Sequence, residues 1–144
     1  MHLIEGLLLT PLKRISHPKG EVLHAMKRSQ PGFVDFGEAY FSMVLPKNIK
    51  GWKRHRNVTL NLVVSVGRIR FVIYDDRAAS STCGQFTDVT LGRENYARLT
   101  VPPGVWVAFM GVDDAPSLLL NIADQEHDPD EADNASPESF RFAW

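Results

Sequence analysis

Five of the eight residues in Ile49-Lys50-Gly51-Trp52-Lys53-Arg54-His55-Arg56 carry an amine, a guanidinium or an imidazole. Lys and Arg supply charge-assisted donors to phosphate oxygens, and an imidazole is suited to proton transfer near neutral pH. Lys53 and His55 are two residues apart, so an extended chain presents both on one face. An ammonium holds its proton in water, so Lys53 serves as a base only where its surroundings disfavour the charge. His55 is the more natural proton carrier. The same cluster also fits a solvated strand end, where basic residues block unwanted pairing, and charge alone does not choose between the two. Glu38, Tyr40 and Ser42 alternate before the cluster, and Thr59 and Asn61 after it. With Asn121 they are candidates to line a cavity opposite the basic residues.

The elements that must position these groups read as strands. Short segments rich in Val, Ile, Phe, Tyr and Thr are separated by Gly, Pro, Asn and Asp, with no long 3.6-residue stripe. Strands are expected at 7–15, 21–27, 39–44, 49–53, 59–66, 68–75, 85–91, 97–101, 106–111 and 117–123. The segment 59–75 predicts a hairpin turning at Gly67, with Leu60, Leu62, Val64 and Val66 sharing one face. Turn signals every ten or so residues suggest a barrel or jelly roll. Residues 124–139 shift to Asp, Glu, Asn and Pro and predict an acidic surface tail. The closing Phe140-Arg141-Phe142-Ala143-Trp144 is apolar again and predicts a docked end. Trp52, Trp106 and Phe109 are expected as core aromatics.

At 144 residues one core suffices, and 44% hydrophobic with 23% charged residues is an ordinary globular composition. Apolar runs such as Leu60 to Val66 are too short to cross a bilayer as a helix. No basic segment followed by an apolar run opens the sequence, so a cytoplasmic location is expected. The single cysteine, Cys83, fits a reducing compartment, and without a signal peptide Asn57-Val58-Thr59 is not read as a glycosylation site. The net charge of −1 hides an asymmetry. Residues 1–56 hold ten Lys/Arg against four Asp/Glu, and residues 113–144 hold one against nine. The basic third suits an anionic ligand or an acidic patch on a second copy, while the acidic third argues against nucleic acid.

Motif order carries a specific resemblance. Lys50-Gly51-Trp52-Lys53-Arg54-His55 is similar to an R-G-L-H-x-Q motif. Val63-Val64-Ser65-Val66-Gly67 leading to Tyr74-Asp75-Asp76-Arg77 is similar to V-V-x-G-x-V-x-D-V-x-x-D-x-R. Val101-Pro102-Pro103-Gly104-Val105-Trp106-Val107-Ala108-Phe109 matches V-P-x-G-x-x-H-x-F, and Pro137-Glu138-Ser139 leading to Trp144 matches P-E-S-x-x-x-I-x-W. Over about residues 17–144 the chain resembles the dTDP-4-dehydrorhamnose 3,5-epimerases. The resemblance implies an all-β, cupin-type jelly-roll barrel forming a single domain over 1–144. It also implies N-terminal strands within 1–30 that swap between the subunits of a homodimer. At the other end, composition marks 124–144 as an acidic C-terminal tail.

The resemblance further implies a nucleotide-sugar ligand, dTDP-4-keto-6-deoxyhexose in type, handled without metal or cofactor. Lys53 takes the place of the histidine that removes protons beside a ketone, and Val107 that of a second histidine. No tyrosine answers the family's general acid in Asp124-Gln125-Glu126-His127-Asp128. Lys53 and His55 are thus the catalytic candidates. In cupins that bind metal, a H-x-H pair, a carboxylate and a distant histidine serve as ligands. Lysine and valine at these positions do not hold a divalent ion. In His17-Pro18-Lys19-Gly20-Glu21-Val22-Leu23-His24, Lys19 and His24 stand where the family reaches the nucleotide with arginine and glutamate. The substrate-binding candidates are therefore Lys19, His24, Glu38, Tyr40, Lys50, Asn61 and Asn121. Three functions follow: an epimerase-like enzyme of deoxysugar or polysaccharide biosynthesis, a nucleotide-sugar-binding cupin without turnover, or a ketoisomerase using a different base. None involves nucleic acid or a membrane.

Overall fold

The computed structural model describes all residues from Met1 to Trp144. Twelve strands follow in chain order: β1 Leu8–Pro11, β2 Arg14–Ile15, β3 Val22–Leu23, β4 Glu38–Val44, β5 Ile49–His55 and β6 Leu60–Val66. Then come β7 Arg68–Tyr74, β8 Phe86–Gly92, β9 Ala97–Val101, β10 Trp106–Gly111, β11 Ser117–Ala123, β12 Ala132–Asn134 and one 3-10 turn, Pro137–Ser139. One antiparallel sheet runs β1-β9-β6-β11-β4, a second runs β12-β5-β10-β7-β8, and β2-β3 form a small separate hairpin. The fold is an all-β jelly roll of the cupin type. No helix is long and apolar enough to cross a membrane.

The alternation of apolar residues sets the packing. Leu62, Val64, Ile69, Phe71, Ile73, Val89, Leu91, Leu99 and Leu119 fill one core with residues drawn from both five-stranded sheets. The second sheet also buries its other face. There Trp52, Val72, Trp106 and Ala108 are covered by Tyr74, Phe86, Phe140, Phe142 and Trp144. The C-terminal aromatics do dock, and they explain why Val72, on the face opposite Phe71, is fully buried.

Three expectations are corrected. Residues 60–66 and 68–74 are strands and Gly67 has φ +78°, but they do not pair with each other. A single glycine corner passes the chain from one sheet to the other, and β6 finds its partners in β9 and β11. The expected strands 7–15 and 21–27 shorten to three small pieces, because only Leu8–Pro11 joins a large sheet, along β9, while β2 and β3 pair with each other over two residues each. Residues 125–130 are exposed as their composition predicts, but Ala132–Asn134 pairs with β5. That pairing places a segment of the acidic stretch beside the basic cluster.

Candidate functional site

The site is built on β5. Between β5 and β10 the register steps from Val107↔Lys53 to Phe109↔Lys50, leaving Gly51 and Trp52 opposite Ala108 alone. The bulge changes which residues face inward. Lys53 and His55 point to the cleft on one side of it and Lys50 on the other, while Trp52 turns to the outer aromatic cluster. Gly51 is required here: its φ is +145°, and a Cβ would lie 2.5 Å from that of Ala108.

A cleft of about 310 Å³ opens above these residues. Tyr40, Asn121 and Leu62 form its opposite wall, in register on three adjacent strands, with Ser42 beside them. Asn121 Nδ2 donates to Ser42 Oγ at 3.1 Å. Phe109 and Val107 form the floor, and the Lys50 ammonium stands 5.7 Å over the Phe109 ring. Asn134 and Ala135 supply the rim. The lining holds two lysines and a histidine and no carboxylate, so the cleft favours an anionic ligand. Burial raises the Tyr40 phenol, and the nearby Glu38 charge adds to the effect.

Beside the cleft, His55 Nδ1 lies 2.6 Å from Glu131 Oε1. Glu131 is only 8% exposed, and its other oxygen accepts the N–H groups of Asn57 at 2.9 Å and Val58 at 3.1 Å. Burial pushes the Glu131 carboxyl up. The Asn57 N–H, the His55 ring and the Val58 N–H outweigh that effect and leave it below its ordinary value. On the outer face, Arg54 stacks 4.5 Å from the Trp106 ring and donates to Asp133 at 3.0 Å, and Arg56 reaches the other Asp133 oxygen at 2.9 Å.

Of the cavity candidates singled out in the sequence, Lys50, Lys53, His55, Tyr40, Ser42 and Asn121 converge on the cleft. The others lie elsewhere. Asn61, one residue out of phase with Leu60 and Leu62, faces away, donating to the Gly32 carbonyl and accepting from Arg98 and Thr100. Glu38 sits at the end of β4 outside the lining. Lys19 is in the exposed turn between β2 and β3, where its N–H donates to His17 Nδ1. His24 follows β3, its carbonyl accepting the Tyr96 hydroxyl. Glu131, Asn134 and Ala135 are missing from the sequence reading, because only the pairing of β12 with β5 brings them near. No group of three or more His, Cys, Asp or Glu side chains converges as metal ligands would.

Residues 35–143 match the family model described as dTDP-4-dehydrorhamnose 3,5-epimerase. The chain belongs to the dTDP-4-dehydrorhamnose 3,5-epimerase family. The structure of a dTDP sugar isomerase from Desulfovibrio desulfuricans G20 superimposes with a TM-score of 0.92 and 42% identity, covering 94% of this chain and 87% of that one. A probable low-salt glycan biosynthesis epimerase, Agl13, from Haloferax volcanii is 33% identical over 101 residues. That match covers 69% of this epimerase-family chain and 65% of the archaeal protein, just under two thirds of its length. The spore coat polysaccharide biosynthesis protein SpsL of Bacillus subtilis is 23% identical over 99% of this chain and 97% of its own. Val107, like Lys53, lies in the cleft lining.

Proposed function

We propose that this family member is a metal-independent epimerase or isomerase of nucleotide-linked 4-keto-6-deoxyhexoses, serving deoxysugar or polysaccharide assembly. The observation that carries the reading is the cleft itself, where Lys50, Lys53 and His55 gather without a carboxylate and face Tyr40, Ser42 and Asn121. A sugar diphosphate brings the anionic charge that such a lining attracts. A ketone acidifies its α hydrogens, which gives His55 a proton to move. We place the work in the cytoplasm of the cell and assign it to a homodimer spanning residues 1–144 in each subunit. Of the N-terminal thirty residues, β1 pairs within its own chain. Within that segment the β2–β3 hairpin, which carries Lys19 and exposes Ile15 and Val22, pairs with neither large sheet.

The test is solvent deuterium exchange. Purified protein is incubated in D2O with a panel of dTDP-, UDP-, GDP- and CDP-linked 4-keto-6-deoxyhexoses. Deuterium is expected at C3 or C5, or at the carbon flanking a migrated carbonyl if the chain is a ketoisomerase. No incorporation with any member rules out turnover. A second reading, a binding protein without chemistry, draws on Lys53 and Val107 at the two histidine positions. It predicts calorimetric binding of the same sugars with no exchange, and it fails if exchange occurs or if no sugar binds.

A further inference from the structure

Resting on that reading of the cleft, we propose that Glu131 is the positioning carboxylate of His55, holding the ring so that Nε2 is its proton-accepting nitrogen. The base of this member is then His55, two residues beyond the family's histidine position, and its partner comes from the acidic C-terminal stretch.

Three observations carry this. The Nδ1 to Oε1 distance of 2.6 Å is that of a strong charge-assisted hydrogen bond. An ionised carboxylate only accepts, so the ring proton sits on Nδ1 and the lone pair of the neutral imidazole falls on Nε2. The carboxylate is itself fixed, buried, with its second oxygen held by the N–H groups of Asn57 and Val58. Its own carbonyl accepts the N–H of Arg56, which locks the acidic stretch to the end of β5. Finally, His55 shares the cleft lining with Lys53, which divides the work by chemistry. The C–H bond beside the ketone breaks, its proton passes to His55 Nε2, and its electron pair forms an enolate. The Lys53 ammonium in the same lining offsets the negative charge on the enolate oxygen. Return of a proton to carbon restores the ketone and the neutral base, with no oxidant or reductant.

Glu131→Gln separates positioning from scaffolding. The amide oxygen can still accept from Asn57 and Val58, while the amide NH2 faces Nδ1 and must donate to it, so the ring proton moves to Nε2. Long-range 15N–1H correlation spectra of the intact protein read the tautomer, and exchange of dTDP-4-keto-6-deoxyglucose in D2O reads the chemistry. The wild type is expected to show Nδ1–H and Glu131→Gln to show Nε2–H, with kcat for exchange reduced at least about 100-fold and KM changed by under about threefold. Glu131→Asp is expected to keep Nδ1–H and recover part of the rate. An Nε2–H tautomer in the wild type overturns the proposal, and that measurement needs no variant. Wild-type exchange in a Glu131→Gln protein whose tautomer has flipped overturns it as well. If the wild type exchanges no proton from any keto sugar, the enzymatic reading fails by itself. Nδ1–H in the wild type and its inversion in Glu131→Gln then still uphold the positioning of His55.

Discussion

His55 and Lys53 share one face of β5 but are unequal as proton carriers, and substitution should separate them. His55→Gln is expected to cut deuterium exchange by about 100-fold or more, as removal of a general base does. Lys53→Ala should lose about tenfold, through weaker binding of the anionic sugar and loss of charge stabilisation. Unchanged turnover in Lys53→Ala would remove that residue from the chemistry. A different carboxylate, Asp75, contributes to acid stability. Asp75 is fully buried. The Arg77 guanidinium, with the Ser80 and Thr82 hydroxyls, overcomes the cost of burial and holds its carboxyl well below the usual range. A lowered native pKa means that the stabilisation is complete above the ordinary carboxylate range and is lost as pH falls toward the native value. Asp75→Asn should therefore cost about 2 kcal/mol in urea melts at pH 7, with the gap to wild type closing only in strong acid. At this scale the sequence was readable where residue type and two-residue spacing sufficed, as for Lys53 and His55. Asn61 fell on the wrong face because parity along β6 could be fixed only by knowing that Leu60 and Leu62 look into the cleft. Glu131 is one of seven acids between residues 124 and 144, and nothing local marks it as the buried one.

The elements that carry these residues depend on a bulge and a strap. Gly51 gives the bulge its shape, and Gly51→Ala puts a methyl onto Ala108 at a φ that L residues rarely adopt. It should cost about 1–3 kcal/mol and reduce turnover as well, since Lys50 and Lys53 take their orientation from opposite sides of the bulge. A loss of stability with full activity would show that the bulge does not set the site. The strap is the segment from Glu131 to Trp144. Its backbone pairs with Trp52 through Ala135 in both directions, and Pro137 accepts the Trp52 indole N–H at 3.2 Å. Its aromatic end packs over the same indole, the Phe140 ring lying 5.3 Å away. The long strands were legible because each carries a run of strand-forming residues along a neighbour of similar length. β12 was not, because three residues reading Ala-Asp-Asn carry no strand signal and are held by β5, a contact about eighty residues away in sequence. The corner at Gly67 misled for a related reason. Two adjacent strands and a glycine look alike in sequence whether the strands pair or part, and here the partners of β6 come from much later in the chain.

At the scale of the whole molecule, charge and apolar surface lead to different conclusions about a second copy. The basic cluster and the acidic stretch need no partner chain to neutralise each other, since Asp133 bridges Arg54 and Arg56 and Glu131 holds His55 within one chain. Apolar surface is what remains unsatisfied. On the edge strand β4, Phe41 and Met43 are 65% and 60% exposed, and they pair across to Leu120 and Leu118 on β11. Leu45 extends the patch. An open edge flanked by large apolar side chains invites pairing with another sheet, and a second copy presenting the same face satisfies it with two-fold symmetry. Light scattering should then give twice the chain mass of 16.2 kDa. Phe41→Asp places a charge within the patch, and with unchanged circular dichroism it should reduce the mass to that of one chain. A wild-type protein that scatters as a single chain refutes the dimer outright. A Phe41→Asp protein that stays dimeric moves the interface from β4 to the β2–β3 hairpin, where Ile15 and Val22 become the residues to change.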